Sequence, residues 1–268
     1  MNRASSQAPI PPSPGLAPRA GILFSLLLVL AGLGRGPAAR AAELPLEEQL
    51  REGGRIAAEL RSSPPGEEIN FKGRLSIREG VNKIREVPFH FRGLVTPTNW
   101  LTIYRAEPAP SSTNAPSLLA VMHQKDSANS YWSAPLSDPS AWEPLPPPAA
   151  AQPFAASDFT LQDLGLEFLH WPQQRALKIE MRKGRPCHVL ESSPGTPASL
   201  TPYRRVVSWI DTESGGLLLA EAYDVSNKLL KEFSINSMKK VQGRWQVQQM
   251  EIRNVQTRSR TRLDFDLQ

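Results

Sequence analysis

The chain has 268 residues, with 31 lysines and arginines, 26 aspartates and glutamates, 26 prolines and one cysteine. Its first 41 residues hold four arginines and no acid, so residues 42–268 carry 27 bases against 26 acids, which excludes a globally basic nucleic-acid binder. One cysteine excludes an internal disulfide and a multi-cysteine metal site, and no apolar run reaches the roughly 18–20 residues of a membrane span.

Gly21 to Leu33 reads GILFSLLLVLAGL, preceded by Arg19 and followed by the small residues Ala39 and Ala41. An apolar run this short with these flanks reads as the core of a signal peptide over residues 1–41, cleaved after Ala41; a buried core helix is the alternative. No cysteine stands at its end for acylation. The mature chain is therefore expected in an exported compartment and not as a lipoprotein.

Leu44-Pro45 opens a helix, with Pro45 at its first position and Glu47 and Glu48 in its first turn. Leu46, Leu50, Gly53, Ala57 and Leu60 recur at helical spacing. Gly53 and Gly54 each cost about 1 kcal/mol relative to alanine. Either they allow close approach to a surface, or they are the hinge of a mobile lid. Ser62-Ser63-Pro64-Pro65-Gly66 ends the helix.

The period then changes to two. Strands are predicted over 70–78, 82–92, 100–104, 118–125 and 130–133, with proline-rich breaks at 107–117 and 134–153. The second break holds seven prolines and reads as an irregular insert. Thr160 is an N-cap, with Asp163 three residues on and a Phe159/Leu164 staple. That short helix continues through Phe168 and Leu169 to Trp171-Pro172. Strands follow over 176–181, 186–192, 203–211, 217–224, 229–239, 244–255 and 261–267. About ten or eleven strands in near-sequential hairpins imply one antiparallel sheet that must curl or close to limit its edges; a β-sandwich is the alternative.

No catalytic or cofactor motif is present. His90, His123, His170 and His188 lie in four different segments without metal spacing, and there is no phosphate loop or nucleophile elbow. The expectation is a binding protein with no enzyme activity, no metal and no cofactor. Cys187 reads as a buried small hydrophobe in a strand, with a reactive thiol as the alternative. Residues 228–268 hold nine bases and four acids. That reads as a solvated outer sheet face or as a patch for anionic lipid or an acidic partner, hence a possible peripheral membrane contact.

An ordered series of short motifs carries a resemblance. It runs Ser157-Asp158-Phe159-x3-Asp163-Leu164, Gly184-Arg185-x-Cys187-x-Val189-Leu190-Glu191, Tyr203-x2-Val206-Val207-x-Trp209-Ile210-Asp211, Glu221-x-Tyr223-Asp224-x4-Leu229-x-Lys231, Gly243-x-Trp245 and Met250-x5-Gln256-Thr257. The chain resembles the outer-membrane lipoprotein-sorting protein family, the relatives of the periplasmic lipoprotein carrier LolA, across residues 45–267. The resemblance implies a mainly β fold, an open antiparallel barrel with two or three short helices packed in its concave side. It further implies a periplasmic protein that holds acyl chains of lipids or lipoproteins in an apolar hollow.

The liners would come from one strand face and the inner side of the first helix. The candidates are Phe89, Phe91, Trp100, Tyr104, Met122, Trp209, Phe233 and Ile235, with Leu50, Ala57 and Leu60, each of which can equally be ordinary core. A different class remains open: a periplasmic sensor or adaptor that uses the same fold to bind a segment of a membrane protein.

Overall fold

The computed structural model describes residues 44–62, 68–80, 83–96, 99–107, 117–195, 201–241 and 243–267. The leader expected over 1–41 lies outside these residues, as do most of the proline-rich breaks at 63–66 and 107–117.

Helix α1 spans Leu46–Arg61. Pro45 caps it from outside, with extended ψ, so the proline stands one position earlier than the sequence pattern suggested. Thirteen strands follow among the described residues. The first half holds β1 (Ile69–Glu79), β2 (Lys83–Val95), β3 (Trp100–Ala106), β4 (Leu118–His123), β5 (Ser130–Ser133) and the two-residue β6 (Glu143–Pro144). The second half holds β7 (Gln173–Arg182), β8 (Arg185–Ser193), β9 (Tyr203–Asp211), β10 (Leu217–Asp224), β11 (Leu229–Val241), β12 (Arg244–Asn254) and β13 (Ser259–Phe265). All pairings are antiparallel, in one sheet ordered β6-β5-β4-β3-β2-β1-β13-β12-β11-β10-β9-β8-β7. One continuous sheet excludes the sandwich. Twelve of the thirteen answer to the ranges read from the sequence, and the thirteenth, β6, forms inside the proline-rich insert.

The topology has a direct consequence. Two meanders are joined through β1 and β13, so β6 and β7 lie at opposite edges. The chain between them must cross the face of the sheet. Residues 145–172 make that crossing as 3-10 turns over Pro147–Ala151 and Phe154–Ala156, helix α2 (Leu161–Leu164) and a 3-10 turn over Glu167–His170. The expected second helix is thus split, because Leu166 turns left-handed at φ 50° after Gly165. The Thr160/Asp163 capping box forms as the sequence indicates, each side chain bonding the other's backbone N–H.

Strand alternation sets what this segment covers. Leu75, Ile77, Val87, Phe89, Tyr104, Leu119 and Val121 point to the inner face and bury Phe154, Phe159, Leu161 and Leu164 of the crossing segment. A second cluster joins Phe168 and Leu169 to Leu190, Val206, Ile210, Ala220 and Ala222, with Ile56 and Ala57 of α1. The sheet therefore curls around residues 145–172 without closing. Register shifts in β7, β10 and β11 supply local bends. Cys187 is fully buried in β8, as expected of a small hydrophobe.

Candidate functional site: an apolar cavity with one charged corner

Between the crossing segment and β9–β12 the packing is incomplete. A cavity of about 50 Å³ remains. Its walls are Phe159, Leu166 and Phe168 from the crossing segment, and Val206, Leu217, Ala220, Ala222, Phe233 and Ile252 from the sheet. Ala220 and Ala222 leave the room, because a larger side chain at either would fill it. The volume is far below the roughly 300–1,000 Å³ of pockets that hold drug-sized ligands.

Asp163, Tyr203 and Lys231 form the remaining corner. Lys231 is buried, and its Nζ donates to the Asp158 carbonyl at 2.7 Å and to Asp163 Oδ2 at 3.0 Å. Tyr203 donates its hydroxyl to Asp163 Oδ1 at 2.8 Å. Burial first, and then the Asp163 charge, push the Tyr203 phenol well above its ordinary range. Lys231 also stands 5.6 Å over the Tyr203 ring. Asp158 fixes the same segment to β13 by accepting from Thr261 Oγ1 at 2.9 Å. The Ser157–Leu164 motif, the Tyr203 motif and the Lys231 motif are far apart in sequence, and here they meet at one point. Composition and periodicity gave no reason to select these three residues as a site; only their shared membership of the motif series pointed to them.

The residues selected from the sequence divide between several places. Phe233 lines the cavity, and Ile235 is buried further along the same strand. Phe89 and Tyr104 belong to the main core on the inner face, with Phe91 packed against them; Phe154 of the crossing segment covers Phe89 and Tyr104. Tyr104 donates to the Leu164 carbonyl at 3.1 Å, and burial pushes its phenol up to about 12. Trp100 stacks on His123 at 3.6 Å. His123, itself bonded to Thr102 Oγ1 at 2.9 Å, is held down at about 3 by burial and by His170.

Two candidates face the other way. Trp209 alternates with Val206, Ser208 and Ile210 and so lies on the outer face, in a cluster with Val189 and Val207. Its indole donates to Glu180 at 2.7 Å, under Arg182. Met122 lines an outer groove with Leu101, Ile103 and Trp132. In α1, Ala57 is buried, Leu60 packs at the edge of the second cluster and Leu50 is exposed. Gly53 lies against β7, where an added Cβ would stand 2.4 Å from the Gln174 carbonyl oxygen. Gly54 faces open space. At Gly53 the structure therefore has a close approach, not a free hinge.

The other motif residues brace hairpins. Arg185 pairs with Asp211 at 2.7 Å. Burial opposes charge on Asp211, but hydrogen bonds from Arg185 and Ser214 outweigh it and hold the carboxyl at about 2. Gln256 bonds Asp224 at 2.8 Å. In the basic C-terminal strands, Arg253 pairs with Glu232, Arg260 and Arg262 flank Glu251, and Lys231 points inward. Arg253 and Lys231 thus have acidic partners of their own, and Arg260 and Arg262 share one. Among the described residues no group of His, Cys, Asp and Glu could hold a metal ion, and no helix is long and apolar enough to cross a membrane.

A family model described as "-like: Uncharacterized protein" matches residues 119–267, more than half of the chain. The chain belongs to that family. No curated protein matches it. Among solved structures, a putative outer membrane lipoprotein-sorting protein domain from Vibrio parahaemolyticus is similar with a TM-score of 0.66 and 20% identity, over 81% of this chain and 91% of that one. A DUF1329 family protein from Desulfovibrio piger has a TM-score of 0.64 and 19% identity over the same shares. A LolA superfamily protein from Nitrosomonas europaea has a TM-score of 0.52 and 15% identity, over 84% of this chain and 94% of that one. The family member described here thus has the LolA-like fold that its motif series implied.

Proposed function

We propose that this protein is an exported, periplasmic carrier that binds acyl chains of lipids or lipoproteins and serves outer-membrane lipoprotein sorting. On this reading the leader over 1–41 is removed and catalysis plays no part. The observation that carries the proposal is the cavity between the crossing segment and β9–β12, apolar on every wall but one. An acyl chain gains about 0.8 kcal/mol per buried methylene, so a chain of ~14 methylenes gains of order 11 kcal/mol on full burial. The buried Asp163–Tyr203–Lys231 corner would meet the ester end of such a chain.

At about 50 Å³ the cavity is a closed form. Admission of a chain requires the crossing segment to lift. Ala155, Ala156 and Leu166 in that segment hold left-handed backbone at φ 51°, 53° and 50°. Each such residue costs of order 1–3 kcal/mol, which lowers the work of displacing the segment. Helix α1 packs against β7 and against residues 167–170, so it stays docked on β7 and releases residues 167–170 when the segment lifts.

The test is lipid extraction from protein purified without detergent, read by mass spectrometry, with displacement of an apolar dye in parallel. Co-purifying acyl species, lost in Ala222→Phe, are expected. A wild-type protein that carries no lipid and binds no dye overturns the proposal.

A second reading, an adaptor for a segment of a membrane protein, is favoured by one feature. The edge strand β7 exposes Ile179 and Met181 beyond the part that α1 covers. Addition of an extended peptide to that edge would be the binding mode. Pull-down of a membrane partner by protein free of lipid would select it.

A further inference from the structure

The outer face of β2–β5 carries a second apolar feature, on the opposite side of the sheet from the cavity. Strand register places Arg92, Ile103, Ala120, Trp132 and Pro144 in one row across five strands. Leu94, Leu101 and Met122 form the next row. Trp142 folds back from the insert, and a groove of about 270 Å³ opens between it, Trp132 and the β3–β4 side chains. At one flank stand Arg92 and Arg105, both exposed and without an ion-pair partner among the described residues. By register the nearest acids are Glu68, one residue before the Ile69–Gly93 pair and so diagonal to Arg92, and Glu107, two residues after Arg105. Among the described residues neither forms an ion pair with these arginines, while Glu86 is engaged by Arg74 and Asp264 by Gln249.

We propose that this face docks the protein on an anionic membrane surface. Half-buried tryptophans beside an apolar groove suit the headgroup boundary, where the indole body is sheltered and its N–H stays wet. Unpaired guanidinium groups at the flank match anionic lipid phosphates. An acidic protein would use the arginines but would leave the apolar groove uncovered. The proposal is independent of acyl binding, since groove and cavity lie on opposite faces.

Hydrogen exchange of the full chain tests it, with vesicles of phosphatidylcholine containing phosphatidylglycerol and with pure phosphatidylcholine. Protection over 99–107 and 130–144 is expected with the anionic vesicles alone. In sedimentation, the double variant Arg92→Gln/Arg105→Gln should partition about 30-fold more weakly. Trp142→Ser, in the loop just before β6 and outside both core clusters, should reduce partitioning and leave the melting temperature in place. Binding without protection in these segments, as an N-terminal leader would produce, overturns the proposal. So does a double variant that binds like the wild type. Protection by polyglutamate but not by vesicles would assign the face to an acidic protein and overturn the membrane reading.

Discussion

Replacing Gly53 and Gly54 by alanine, one at a time, should change stability in opposite directions. Both lie inside α1, so either substitution gains about 1 kcal/mol of helix propensity. At Gly54 nothing stands within 4 Å of the new Cβ, and that gain is realised in full. At Gly53 the Cβ meets the Gln174 carbonyl oxygen at 2.4 Å, its carbon at 2.5 Å and the Arg175 nitrogen at 2.7 Å. These are backbone atoms of a paired strand and cannot rotate away. Overpacking of this kind costs about 1–3 kcal/mol, more where backbone must shift. The net for Gly53→Ala is a loss of up to about 2 kcal/mol, so the two variants should differ by about 1–3 kcal/mol. For a domain of 150–250 residues that separates their melting temperatures by roughly 2–12 °C. Thermal and urea unfolding by circular dichroism would measure it, with hydrogen exchange in α1 to detect local undocking. Equal shifts in both variants, with α1 protection unchanged, would refute the account of Gly53 as a contact.

Lys231→Met removes one partner of a buried pair and strands Asp163, so a loss of about 3 kcal/mol is expected in urea unfolding; the double variant Lys231→Met/Asp163→Leu should recover part of it. Thr160→Ala deletes half of the capping box and should cost about 1 kcal/mol, read in the same assay. Stability should fall with pH below about 6.5, because the unfolded chain protonates His123 near 6.5 while the folded chain holds it neutral to about 3. Between those values the unfolded state binds more protons, giving a slope of up to ~1.4 kcal/mol per pH unit. Glu167, pushed up mainly by burial, offsets part of this at the acid end. His170, held down to about 4 mainly by burial, acts in the same direction, so His123→Asn should reduce the slope without removing it. Below about pH 4 the Arg185–Asp211 pair adds a further loss as Asp211 protonates towards about 2, of order 1 kcal/mol because Arg185 is half exposed.

Alternation and hairpin spacing determined most of the strands, since a half-buried strand writes its faces into sequence at period two. β9 and β10 start and stop where the sequence predicts them, although only β10 alternates in burial and β9 is buried on both faces over its second half. Thr160 and Asp163 determined a helix start, because a capping box is made within four residues. The motif series pointed to the LolA-like fold, although no motif by itself says what its residues touch. Local sequence could not decide which strands become the sheet edges. That β6 and β7 lie at opposite ends follows from the pairing of β1 with β13, nearly two hundred residues apart. The same pairing forces the proline-rich insert and the split second helix across the concave face, where they fill most of the hollow the aromatic residues were expected to line. It also brings Asp163, Tyr203 and Lys231 together. Trp209 and Met122 reached the outer face for a related reason: alternation separates two sides of a strand, and only the packed fold decides which side is turned inward.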